Sequence, residues 1–203
     1  MVPSLLGVAE APAPQWRHVP EAIHDALSQV ADPVLLIGHS GAGLLLPVIA
    51  DTLSCEITGL IFVDAFLPPA RGDAQLLPPE LLDRLRPLAS GGVLPPWSQW
   101  FGEHTMRELV PDAALRSTLE REMPRLPLSY FDASVPISDG WAERPCAYLL
   151  LSPDTYGESA TPARNLGWPV ADVPDAHHLT IVTEPVAVTD ALLALERALV
   201  FAE

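Results

Sequence analysis

The run from Pro33 to Ala50 is almost free of charge, and it breaks in the middle at Ile37-Gly38-His39-Ser40-Gly41-Ala42-Gly43. Val34-Leu35-Leu36-Ile37 is apolar without alternation, the pattern of a strand in a parallel sheet covered on both faces. Gly43 to Leu53 reads as a buried helix. A strand that passes into a helix through small residues has few ways to fold. A serine at such a turn is held in a strained backbone conformation that raises its hydroxyl above the sheet, at the amino end of the helix. Gly38 and Ala42, two residues before and two after Ser40, let strand and helix approach closely. The run also contains His39, Ser40 and several glycines and prolines, so it is not read as a membrane span. The plainer reading of the motif is a glycine-rich turn that only packs a helix on a strand.

The flanking segments extend the same rhythm. Val2, Leu5 and Leu6 are consistent with a short strand over residues 1–7. Val19, Ile23, Ala26, Leu27 and Val30 repeat at helical spacing over 19–30. After the buried helix, Gly59 to Phe66 is strand-like and ends at Pro68-Pro69. From Ala70 to about Trp141 the pattern becomes helical segments broken by prolines, at 80–88, 97–110 and 112–123, with no strand among them. A helical cover over the carboxyl edge of the sheet is the expectation. Cys146–Leu151 and Val170–Val173 resume as strands, and residues 185–200 form an amphipathic closing helix. The fold class is α/β: a mostly parallel sheet with helices on both faces and a helical lid insertion. One domain is expected over 1–203, with 1–69 and 142–203 as core and 70–141 as lid.

Composition narrows the function. Apolar residues are 49% and charged residues 18%, enough for a real core and against disorder. Eleven basic residues, all Arg, face 26 acidic ones for a net charge of −15, which disfavours nucleic acid and anionic membranes as partners. Cys55 and Cys146 are too few for a disulfide framework and share no metal-ligand spacing, so no metal or other cofactor is expected. No export signal is evident at the amino end, and a cytoplasmic location is expected.

If Ser40 is a nucleophile it needs a base, and the downstream candidates are His177 and His178, in a loop after a strand and before the closing helix. An acid should orient that imidazole. Asp154 follows the strand 146–151 and is the first candidate. Asp64, at the end of the strand 60–63, competes with it. Trp97, Trp100 and Phe101 are core residues of the insertion or, with His39, line an apolar substrate pocket.

These residues resemble the α/β-hydrolase superfamily along the whole chain. Gly-His-Ser-Gly-Ala is similar to its nucleophile elbow, Leu60-Ile61-Phe62-Val63-Asp64-Ala65 to the strand after it, and Asp154 to the acid that commonly follows the next strand. His178 to Pro185 resembles the catalytic histidine with its usual downstream proline, which favours His178 and leaves His177 as the alternative base. The resemblance implies Ser40, His178 and Asp154 as catalytic, with the Gly41 N–H as an oxyanion donor. Family members ordinarily have several strands before the helix that leads into the elbow, and the loop after the third gives a second oxyanion donor. Only about 33 residues precede Val34, so a truncated fold is expected, lacking its first three strands and leaving a gap beside the Ser40 strand.

The expected function is therefore a serine hydrolase, a carboxylic ester or thioester hydrolase (esterase or thioesterase), cleaving small hydrophobic substrates through an acyl-enzyme and impaired by the missing loop. The alternative is a degenerate hydrolase-fold protein that binds a small molecule or assists non-hydrolytic chemistry. An unpaired parallel edge would also favour a homodimer.

Overall fold

The computed structural model describes residues 1–200. In chain order its elements are α1 (His18–Leu27), β1 (Val34–His39), α2 (Leu46–Thr52), β2 (Ile57–Val63), β3 (Gly72–Gln75), α3 (Pro79–Leu85), α4 (Glu103–Leu109), α5 (Ala113–Glu122), α6 (Leu128–Asp132), β4 (Ser134–Ile137), β5 (Cys146–Leu150), α7 (Pro153–Asn165), β6 (Val170–Asp172), α8 (Thr180–Thr183) and α9 (Pro185–Val200). They divide into two compact units, one of residues 1–26 and 75–135, the other of 27–74 and 136–203.

The second unit is built on a four-stranded sheet in the order β1-β2-β5-β6, every pairing parallel. Side-chain alternation sorts the two faces. Ile61 and Val63 of β2 and Ala147 and Leu149 of β5 pack with Val188, Leu195 and Leu199, so the closing helix α9 covers one face. On the other, Phe62 stacks on Trp168 at 5.8 Å and meets Trp141 edge-on at 5.6 Å. The central strands are buried on both sides, which is why β2 and β5 carry apolar runs. Among the described residues β1 is an edge strand, and Ile37 is 46% exposed there, so the double coverage expected for it is only partial.

The first unit is mainly helical, and its core includes Leu82, Leu85, Leu94, Met106, Val110 and Phe131. The residues before α1 cluster within it, where Gln15 Nε2 donates to Ser129 Oγ at 2.9 Å. The strand expected over 1–7 is not formed; the chain makes a 3-10 turn at Leu6–Glu10 instead. Pro3 lacks the N–H a central strand would need. Two further expectations are corrected here. The helix at 97–110 is split into a 3-10 turn, Trp97–Gln99, and α4. The stretch 70–141 is not free of strands, because β3 and β4 pair in a two-stranded sheet. That pairing joins segments far apart in sequence, so no local pattern announces it.

Candidate active site

The site is assembled from segments that leave the carboxyl ends of the four parallel strands, where open α/β sheets place ligands. At the end of β1 the chain turns at Ser40, whose φ is 56°, into a 3-10 turn, Ser40–Leu45, that continues as α2. A left-handed serine costs roughly 1–3 kcal/mol and persists only where its surroundings hold it. The holding contacts are close. A Cβ on Gly38 would lie 2.9 Å from Leu46 Cγ, and one on Gly43 would lie 2.6 Å from Ala65 Cβ. Ala42 is exposed, so a methyl group is accommodated there and the tight approach falls on Gly43. Gly41 lies in the first turn of this segment, where backbone N–H groups have no partner within the helix.

The acid that meets the imidazole is Asp64. Its N–H donates to Leu149 O at 2.9 Å, extending the β2–β5 ladder by one residue, and its φ of 45° turns the carboxylate toward the end of β5. There Oδ1 accepts the N–H groups of Leu151 and Ser152, both at 2.9 Å, while Oδ2 accepts the Ser152 hydroxyl and lies 2.9 Å from His178 Nδ1. Asp64 is fully buried. Burial by itself would raise its pKa, but the hydrogen bonds from His178 and Ser152 and from the Ser152 and Leu151 backbone prevail and hold it below the usual carboxylate range. An ionised carboxylate can only accept, so His178 Nδ1 carries the hydrogen and, in the neutral ring, Nε2 carries the lone pair.

This corrects the choice of acid. Asp154 is exposed in the first turn of α7, and the structure does not bring it to the imidazole. Ser152-Pro153-Asp154 is in fact a helix-start signature, with Pro and an acid in the first turn. A lone Asp closing an apolar buried strand was the signal for Asp64, because a buried carboxylate needs several donors and a strand end next to another strand end supplies them. Of the two histidines, His178 is the one that reaches the acid. His177 is tied into its own turn: its N–H donates to Thr180 Oγ1 at 2.8 Å, its Nδ1 accepts from Leu179 N–H at 3.2 Å, and burial lowers its pKa.

His39, expected at the substrate pocket, packs its ring 4.5 Å from that of His178 and donates Nε2–H to the His178 carbonyl at 3.0 Å. Burial, with the nearby His178, lowers its pKa to about 4. One residue at the site had not been singled out from sequence. Tyr156, near the start of α7, stacks flat on His178 at 5.2 Å and 11°. Trp97, Trp100 and Phe101 belong to the first unit, where Trp97 meets Phe101 and Trp100 meets Phe131, each at 5.6 Å. Among the described residues no cluster of three or more His, Cys, Asp or Glu is arranged to hold a metal, and no helix is long and apolar enough to cross a membrane.

An elbow serine and a carboxylate-bound imidazole on a parallel sheet define a hydrolase-type fold, and comparison with known proteins agrees. The model of the alpha/beta hydrolase family matches residues 1–191, and the chain belongs to that family. It is 31% identical over 70 residues to a carbendazim hydrolyzing esterase of Nocardioides sp. (strain SG-4G), a match spanning 32% of this chain and 28% of the length of that relative. Among solved structures, an extracellular alpha/beta-hydrolase from a Paenibacillus species superposes with a TM-score of 0.68 at 17% identity, covering 89% of this chain and 79% of the other. A pyrethroid hydrolase gives 0.61 at 20% identity, covering 90% and 78%. Polyneuridine aldehyde esterase gives 0.62 at 14% identity, covering 89% and 79%.

Proposed function

We propose that this chain is a serine hydrolase that cleaves an ester or thioester of a small hydrophobic substrate through an acyl-enzyme on Ser40. The observation that carries the reading is the pair His178 Nδ1 to Asp64 Oδ2, at 2.9 Å, beside a serine in a strained left-handed turn. In this reading His178 Nε2 takes the Ser40 proton as Oγ attacks the carbonyl carbon. The carbonyl oxygen becomes an oxyanion that accepts the Gly41 N–H. Asp64 stays ionised and stabilises the imidazolium. Collapse of the adduct expels the alcohol or thiol with the proton from His178, and water then releases the acid by the same steps in reverse order. Relatives and structural neighbours named as esterases and hydrolases support the reaction class.

The test is fluorophosphonate labelling with peptide mass spectrometry, beside hydrolysis of p-nitrophenyl esters. Wild type should label at Ser40, and Ser40→Ala should neither label nor turn over. Asp64→Asn should lower kcat roughly 10³–10⁴-fold by leaving the imidazole in the wrong tautomer. Asp154→Asn should stay within about threefold of wild type. A folded wild-type chain without label at Ser40 would overturn the reading in favour of a binding protein on the same fold.

A further inference from the structure

We propose that His39 is a positioning residue for the hydrolysis described above: its Nε2–H, bonded to the His178 carbonyl, fixes the base against the nucleophile. This rests on Ser40 being the nucleophile and His178 the base, as proposed above. His39 is the last residue of β1, pairs in register with Val63 of β2, and is peptide-bonded to Ser40. Asp64 follows Val63 in the same way, so the ends of two paired strands present a donor and an acceptor to one histidine. Nε2 of His39 lies 3.0 Å from the His178 carbonyl oxygen, and Oδ2 of Asp64 lies 2.9 Å from His178 Nδ1. A carbonyl can only accept, so Nε2 of His39 carries the hydrogen. The first bond holds the backbone of the base and the second holds its ring.

Both restraints have work to do. His178 stands in the loop between β6 and α8, where Val173 and Ala176 pack against the apolar cluster of the sheet and α9. Apolar packing has no preferred direction and tolerates small slides of the loop. The local bonds, Thr180 N–H to the His177 carbonyl and His177 N–H to Thr180 Oγ1, both at 2.8 Å, set the shape of the loop and not its place over the sheet. An imidazole held at Nδ1 alone can swing about the Asp64 oxygen, and Nε2, on the other side of the ring, is the atom displaced. Holding the His178 carbonyl as well opposes that swing. Because the restraint comes from the residue joined to Ser40, base and nucleophile are tied to each other through a single side chain. The His39 ring lies 4.5 Å from that of His178, and its pKa is lowered to about 4, chiefly by burial. Near pH 7 it therefore restrains the base without placing a charge beside it.

Glutamine places its amide nitrogen near the position of a histidine Nε2, whereas asparagine, shorter by a methylene, stops near Nδ1. His39→Gln and His39→Asn both replace the ring with a neutral amide, and they differ in whether a donor reaches the His178 carbonyl. A misplacement of about 1 Å at a reacting group can cost roughly 10²-fold in rate. His39→Asn should therefore have a kcat about 10–100-fold below that of His39→Gln, with a similar difference in the fluorophosphonate inactivation rate and KM values within about threefold of each other. His39→Leu, which has no donor, should match His39→Asn. Equal kcat in the two amide variants, at a temperature where both are folded, overturns the proposal. A difference confined to KM, or losses that follow melting temperature across the three variants, would assign His39 to packing and overturn it as well. Absence of label at Ser40 in wild type is a separate outcome and removes both this inference and the hydrolase reading.

Discussion

The imidazoles of His39 and His178 lie 4.5 Å apart. His39 donates its Nε2–H to the His178 carbonyl, and burial holds its pKa near 4, so the ring is neutral near pH 7. In the mechanism proposed above, a second charge there would oppose the imidazolium of His178. The same depression has a stability consequence. In the unfolded chain His39 protonates near 6.5 but in the folded chain near 4, so between those values the unfolded state binds more protons and stability falls as pH falls. At about 1.4 kcal/mol per unit the loss reaches roughly 3 kcal/mol once pH is below about 4. Asp64, held below the usual carboxylate range, contributes stability that is complete above the ordinary carboxylate pKa and is lost at still lower pH. Melting temperature followed from pH 7.5 to 4 should decline for wild type, and His39→Gln should flatten the decline. An equal decline in both would assign the effect to other groups.

The strand, turn and α2 that present Ser40 form one element whose geometry depends on two missing side chains. Gly43→Ala would place a methyl group 2.6 Å from Ala65 Cβ, where neither backbone can yield cheaply. Overpacking of this kind costs about 1–3 kcal/mol. Ala65 also follows Asp64 directly, so the displacement is transmitted to the acid as well as to the serine. Gly43→Ala should lower both chemical-denaturation stability and esterase kcat, while Ala42→Gly, at an exposed position, should cost less than about 1 kcal/mol. Equal effects of the two would show that the approach to Ala65 does not govern the turn.

The elbow was readable because strand, small residues and helix are consecutive in the chain, and α9 because its apolar stripe starts and stops within residues 185–200. What escaped depends on distant neighbours. Asp64 is chosen by the N–H groups of Leu151 and Ser152, which reach it only after β2 and β5 pair. Tyr156 needs Phe66 and the His178 loop to be in place before its ring has anything to lie on. β3 and β4 escaped for the same reason.

At the scale of the whole chain, a net charge of −15 acts on every folded conformation alike. Arg86 with Asp132 and Arg144 with Asp51, each at 2.6 Å, relieve it only locally. Self-repulsion should dominate at low salt, where the screening length is about 30 Å at 0.01 M against about 8 Å at 0.15 M. Raising NaCl over that range should therefore raise the melting temperature, by about 2–4 °C for each kcal/mol recovered. A fall would mean that the ion pairs outweigh the repulsion.

The placement of Asp64 also bears on how such a chain can be recombined. β1, α2 and β2, with the residue after them, occupy positions 34–64 and bring together the elbow serine and the carboxylate. A crossover anywhere after residue 64 leaves that couple intact. Whatever lies downstream must still return two strand-end amides and a histidine to the same carboxylate, and apolar residues to pack on Ile61 and Val63. Inheritance of the serine–acid couple is thus separated from inheritance of the segments that follow it.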